Sequence, residues 1–344
     1  MRTWLPKSMI VFACAIAGLM AGIARAEDAP LTAEISGCGF ANGVSIAPCK
    51  IAYRTFGTLN ATRDNVVLIP TVILGRSEDW APFLGPGGIV DSSKYYVIVV
   101  DALADGQSQS PSNTAAAGRR GFEALTIGDM VESQYRLLTE KLGITSVRAV
   151  VGYSMGGLQA LEWAVRYPQF AAKVVSMAGS PRFGAYDRLL WTAMKATIDD
   201  GLRGSLPPDV IWLQLTRVDA LHARTPRGVN ESPPETVEQD VAASAANYSK
   251  TWALEDYRAQ IGAVLRHDVS AAYGGDLAKA GSRIRAKILI MYSWDDHMVT
   301  ADEVSAFAKL IGAETAEISS PCGHYWAVCE TGKVGARVGE FLAR

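Results

Sequence analysis

The chain has 344 residues, 49% of them hydrophobic, with 33 Lys and Arg against 35 Asp and Glu and a formal net charge of −2. This is long enough for a sizeable core in one large domain. The absence of a basic excess argues against nucleic acid or an anionic membrane surface as partner.

The first 26 residues read as a segment apart from the fold. Arg2 and Lys7 form a basic start, Met9 to Ile23 is apolar, and Ala24-Arg25-Ala26 has the form of a signal-peptide cleavage site. The apolar run is short for a membrane span and rich in Ala and Gly. Apolar residues continue past Cys14, which argues against a lipoprotein signal. The expectation is an exported chain, periplasmic or secreted, cleaved before Glu27. The segment carries three of the basic residues and no acid, so the mature chain has a net charge of −5.

Four cysteines remain after it: Cys38, Cys49, Cys322 and Cys329. An even number in an exported protein points to disulfides, and the spacing is not that of a C-x-x-C metal site. Cys38 and Cys49 flank an expected hairpin at Asn42-Gly43, and Cys322 and Cys329 pair by proximity. As one regular helix, the stretch from Cys322 to Cys329 would hold the two Cα atoms roughly 10 Å apart. That exceeds the limit of about 7 Å for a disulfide. The segment must therefore turn back on itself.

In chain order, residues 31–58 alternate in hydrophobicity between glycine-rich breaks, as antiparallel strands do. Asn65 to Ile69, apolar from Val66 on, and Tyr95 to Val100 are near-continuous apolar runs, the pattern of strands buried on both faces. Asp101, at the end of the second run, reads as an organiser of the loop Asp105-Gly106-Gln107-Ser108. Thr126 to Leu142 has helical periodicity through Met130, Val131, Tyr135, Leu138 and Leu142. After a strand at Val174 to Ala178 the pattern changes: residues 181–283 hold helical stretches punctuated by Pro207-Pro208 and Pro233-Pro234. Strands resume at Lys287 to Tyr292 and Glu314 to Ile318, and a final helix covers roughly Lys333 to Leu342. Alternating strands and helices predict a mostly parallel sheet with helices on both faces. The chain divides into a core over 27–180 and 284–344 and an inserted helical lid over 181–283.

The organising stretch runs from Ser146 to Pro168. An apolar strand leads into Gly152-Tyr153-Ser154-Met155-Gly156, a G-x-S-x-G, and a helix follows through Leu158, Leu161 and Val165. A serine at such a strand-to-helix turn has its hydroxyl held out at the edge of the sheet. The N–H of Met155 and the start of the helix face any negative charge that develops there. Ser154 is thus the candidate nucleophile, and it needs a base and a group to orient that base. Of four histidines, His222 and His267 fall in the expected lid and His297 adjoins an acid. His324, in the loop after the last strand, is the candidate base. The acid belongs just past the strand Lys287 to Tyr292, where Asp295 and Asp296 are adjacent; Asp296, followed by His297-Met298-Val299, is chosen. The second oxyanion donor is expected in the loop after Pro70, at Ile73 or Val72, with Ile73 preferred. A metal-dependent hydrolase would need clustered ligands, and only Asp295, Asp296 and His297 come close. No metal or cofactor is expected.

Several segments carry a family resemblance: Tyr53 to Asn60, Leu84 to Gly87, Ser110 to Thr114, and Gly156 to Ala164. Together they resemble the homoserine O-acetyltransferase-like branch of the α/β-hydrolase superfamily. The resemblance implies the α/β-hydrolase fold, Ser154 as nucleophile, Asp296 as acid, His324 as base, a helical lid and often a homodimer. The acetyltransferases themselves typically read His-Ala-Leu-Thr-Gly where this chain has Thr71-Val72-Ile73-Leu74-Gly75. They also carry an arginine in the segment that here reads Thr126-Ile127-Gly128-Asp129, and a Leu-Phe-Pro type sequence in place of Met298-Val299-Thr300. The expectation is an esterase-like serine hydrolase acting on a small acyl ester, the alternative an O-acyltransferase using acetyl-CoA.

Overall fold

The computed structural model describes residues 29–344, so the expected leader lies outside the described residues. Ten strands form among them: β1 (Leu31–Ile35), β2 (Cys38–Gly39), β3 (Ser45–Ile46), β4 (Cys49–Phe56), β5 (Val66–Pro70), β6 (Tyr96–Val100), β7 (Val147–Tyr153), β8 (Ala171–Met177), β9 (Lys287–Tyr292) and β10 (Glu314–Glu317). Eight of them build one sheet in the order β1-β4-β6-β5-β7-β8-β9-β10. From β6 to β10 all pairings are parallel, while β1–β4 and β4–β6 are antiparallel.

The continuous apolar runs have a direct cause. On β5, Val66 and Leu68 pack on one face with Leu158 and Leu161 of the helix Met155–Arg166. Val67 and Ile69 pack on the other with Val334, Val338 and Phe341 of the helix Thr331–Ala343. Each strand position therefore buries a side chain worth about 1.5–3 kcal/mol. A slip of one residue would exchange the two layers, which fixes the register.

Between β8 and β9 every regular element is helical, and the longest are Ala185–Leu202, Pro208–His222, Pro234–Thr251 and Leu254–Leu265. The two Pro-Pro pairs sit at helix starts, with Pro207 and Pro233 as N-caps and Pro208 and Pro234 in the first turn. Proline suits that position because the N–H it lacks would have no intrahelical acceptor.

Both disulfides are present, Cys38–Cys49 with a Cα–Cα distance of 5.6 Å and Cys322–Cys329 with 6.5 Å. The two cysteines of the first bridge flank the hairpin but do not face each other across its strands, as such a position would suggest. Cys38 faces Ile46 across the small β2–β3 ladder, and Cys49 pairs with Ile35 in the main sheet. The hairpin ladder is only two residues deep, so Cys49 falls beyond it, and the bridge ties the hairpin to the sheet. The second bridge spans a turn as expected: a 3₁₀ turn at Gly323–Tyr325 precedes a single helical turn at Trp326–Cys329.

Candidate active site

Strand order reverses around β5, so the loops leaving β5 and β7 part at their carboxyl ends and open a crevice there. Ser154 stands at its floor. Its backbone has φ 55° and ψ −125°, a conformation that costs a non-glycine residue on the order of 1–3 kcal/mol. The surrounding packing enforces it. A Cβ at Gly152 would lie 1.9 Å from the Gly156 carbonyl oxygen, and one at Gly156 would lie 2.5 Å from the Pro70 oxygen. The Ser154 N–H donates to Met177 O at 2.9 Å, which anchors the turn to β8.

Three of the expected site residues meet. Ser154 Oγ lies 2.9 Å from His324 Nε2, and His324 Nδ1 lies 2.7 Å from Asp296 Oδ2. An ionised carboxylate only accepts, so Nδ1 carries the proton and Nε2 is left to accept from the serine hydroxyl. Asp296 Oδ1 accepts from the N–H groups of Met298 and Val299, both at 2.9 Å. All three residues are buried. The His324 ring stacks on Tyr153 with centroids 5.5 Å apart, and the Tyr153 hydroxyl donates to the His324 carbonyl. Burial alone would depress the His324 pKa. The Asp296 charge and hydrogen bond, with contributions from Asp219 and Asp187, outweigh it and the net direction is upward.

Asp295 is placed differently. Its Oδ2 accepts from Ser319 Oγ at 3.0 Å and Ser320 N at 3.1 Å, joining the loop after β9 to the loop after β10. Met155 is the first residue of its helix, so its N–H has no carbonyl within the helix to bond. In the loop after β5, the N–H of Thr71 donates to Val100, that of Leu74 to Gln260 and that of Gly75 to Val72. Those of Val72 and Ile73 have no acceptor among the described residues, and both residues line the same cavity as Ser154. That cavity measures about 230 Å³. The helices between β8 and β9 supply much of its wall, through Trp191, Trp212, Leu215, Tyr248, Trp252 and Tyr257.

The remaining histidines lie outside the relay. His267 is buried against the Ser180 carbonyl at 3.1 Å, and burial lowers its pKa to about 4. Asp101 turns its carboxylate to Ser77, while its carbonyl accepts from Ser108 of the loop it was expected to organise. Among the described residues no three His, Cys, Asp or Glu gather as metal ligands, and no helix is long and apolar enough to cross a membrane.

The profile of the alpha/beta hydrolase fold family matches residues 65–327. The chain belongs to the α/β-hydrolase family. Among relatives, it is 33% identical over 301 residues to the ethyl acetate hydrolase of Pseudomonas veronii, covering 82% of this chain and 85% of that one. It is 30% identical over 328 residues to the homoserine O-acetyltransferase of Thermus thermophilus, covering 85% and 86%. Its structure resembles that of an acetylester hydrolase from Corynebacterium glutamicum with a TM-score of 0.83 at 28% identity, covering 92% and 96%. The relatives make it an α/β hydrolase of esterase or acyltransferase type.

Within this α/β hydrolase, three site residues escaped the sequence reading. Gln260 Oε1 accepts from Leu74 N at 2.8 Å and so fixes the loop after β5 from a helix 186 residues away. Tyr325 donates to Asp219 Oδ2 at 2.7 Å, and both line the cavity. Tyr325 could be suspected from its place beside His324. Nothing in the local pattern of Gln260 or Asp219 distinguishes them from other polar residues on amphipathic helices.

Proposed function

We propose that this protein is an exported serine esterase acting on small acyl esters, with residues 181–283 as a lid over its site. The observation that carries this reading is the hydrogen-bonded series Ser154–His324–Asp296 opening onto a cavity of about 230 Å³. Pockets that bury drug-sized ligands measure roughly 300–1,000 Å³, so a cavity below that range suits a short acyl ester. Ser154 Oγ attacks the carbonyl carbon while its proton passes to His324 Nε2. The N–H groups of Met155 and Ile73 receive the oxyanion of the tetrahedral intermediate. His324 then hands the proton to the departing alkoxide, leaving an acyl group on Ser154. Water attacks that ester, His324 takes its proton and returns it to Ser154 Oγ, and the carboxylic acid leaves. Asp296 holds the imidazole in the required tautomer throughout. Export is supported by the N-terminal pattern of Arg2 to Ala26 and by the two disulfides.

An O-acyltransferase would share the first half of this cycle, and the similarity to homoserine O-acetyltransferases keeps that reading in view. One comparison separates the two. Chain cleaved before Glu27 is given acetyl-CoA with and without homoserine, and free thiol is followed beside hydrolysis of short-chain acetate esters. Ester hydrolysis with no homoserine-dependent thiol release is expected. Thiol release that requires homoserine, with negligible ester hydrolysis, would reverse the assignment.

The pH profile supplies a second test. Only neutral His324 accepts the serine proton, and its pKa lies above the ordinary 6.5. As pH falls through that raised value the imidazole is protonated and activity is lost. The acid limb of kcat/KM, which reports the free enzyme, should therefore fall above pH 6.5 for a short-chain ester. A limb at or below 6.5 would contradict the role given to Asp296.

A further inference from the structure

Asp219 carries a carboxylate that the mechanism above leaves unused. It projects from the helix Pro208–His222 and lines the same cavity as Ser154 and His324. Its Oδ2 is engaged by the Tyr325 hydroxyl at 2.7 Å, while no hydrogen bond from a described residue reaches Oδ1. The cavity presents Trp191, Trp212, Leu215 and Met298 as apolar wall beside polar Thr216, Asn247 and Tyr248. Burial raises the Asp219 pKa, and the Tyr325 hydrogen bond and the nearby His324, Arg224 and His222 work against that rise.

Position gives this carboxylate a direction. His324 delivers its proton to the departing alkoxide, so the alcohol half of an ester lies on the His324 side of the cavity. Tyr325 directly follows His324, with the two rings 6.3 Å apart. The Asp219–Tyr325 pair therefore stands where the alcohol would extend. An apolar alcohol packed there would strip water from Oδ1 and return no hydrogen bond, a penalty of the kind that separates hydroxylated from plain ligands. We infer that Asp219, held by Tyr325, forms an alcohol subsite selecting esters whose leaving alcohol carries a hydrogen-bond donor at its far end. This rests on the esterase reading above.

The test pairs two near-isosteric acetates, 2-hydroxyethyl acetate and propyl acetate, with wild type, Asp219→Leu and Asp219→Asn. The readout is the ratio of their kcat/KM values, and fluorophosphonate labelling of Ser154 reports that each variant is folded. Wild type should prefer the hydroxylated ester, and Asp219→Leu should lower the ratio roughly 10-fold or more. If Asp219→Leu fails to label, Asp219→Asn decides, with a fall of several-fold expected from the lost charge. An unchanged ratio in the labelled variant, or a wild-type preference for propyl acetate, would overturn the subsite. Failure of the esterase reading looks different: wild type would hydrolyse neither ester, whether or not Ser154 labels.

Discussion

Ser154→Ala is expected to lower turnover of a short-chain acetate ester by about 10⁶-fold and to abolish fluorophosphonate labelling. The size of the effect follows from covalency. Without Oγ no acyl-enzyme forms, and the N–H groups of Met155 and Ile73 are left to act on an ester attacked only by water. His324→Ala should cost nearly as much, because the Ser154 hydroxyl loses the acceptor at 2.9 Å that takes its proton. Members of such a series act as a unit, so the double variant should be little worse than either single one. Labelling and turnover measured on the same preparations decide this. Full activity in either variant would remove the residue from the chemistry.

The second large effect separates two neighbouring carboxylates. Asp296→Asn should reduce turnover by about 10⁴-fold, since an amide facing Nδ1 favours the wrong imidazole tautomer and no longer stabilises the imidazolium. Asp295→Asn should cost less than about 10-fold, because its contacts are with Ser319 and Ser320 rather than the ring. Steady-state kinetics on both variants, with thermal melting to confirm that each is folded, tests the contrast. Equal losses, or the larger loss at Asp295, would reassign the acid.

What the residues announced and what they concealed divides along a physical line. The strand, turn and helix around Ser154 were legible because each feature is local: a run of Val, glycines at fixed offsets, then apolar spacing of helical period. The parallel sheet was legible because two-sided burial leaves uninterrupted apolar runs, as in Val66–Pro70 and Tyr96–Val100. Asp295 and Asp296 are adjacent in one loop, so only the His297-Met298-Val299 that follows favoured Asp296 in the sequence. Which carboxylate turns toward His324 depends on the backbone bend that Asp296 itself makes by accepting from Met298 and Val299. The pairing of Cys38 with Cys49 was reached through a hairpin ladder the two do not share. Asp219 and Gln260 reach the cavity only once four helices have packed over the sheet, and no short-range signal encodes that.

The glycine contacts beneath Ser154 also say where this protein is free to diverge. With 1.9 Å between a Gly152 Cβ and the Gly156 carbonyl, the turn accepts no side chain at that position. Its strand, its serine and its first helical turn are locked as a unit. The cavity wall has no such constraint. Trp212, Leu215 and Tyr257 belong to helices whose backbones take no part in that turn. Substitutions there resize the space for substrate and leave the reacting geometry alone. Mutational drift, or a laboratory library aimed at bulkier esters, would accordingly accumulate change at Trp212, Leu215 and Tyr257, and almost none between 152 and 157 or at Gln260, which holds the loop after β5.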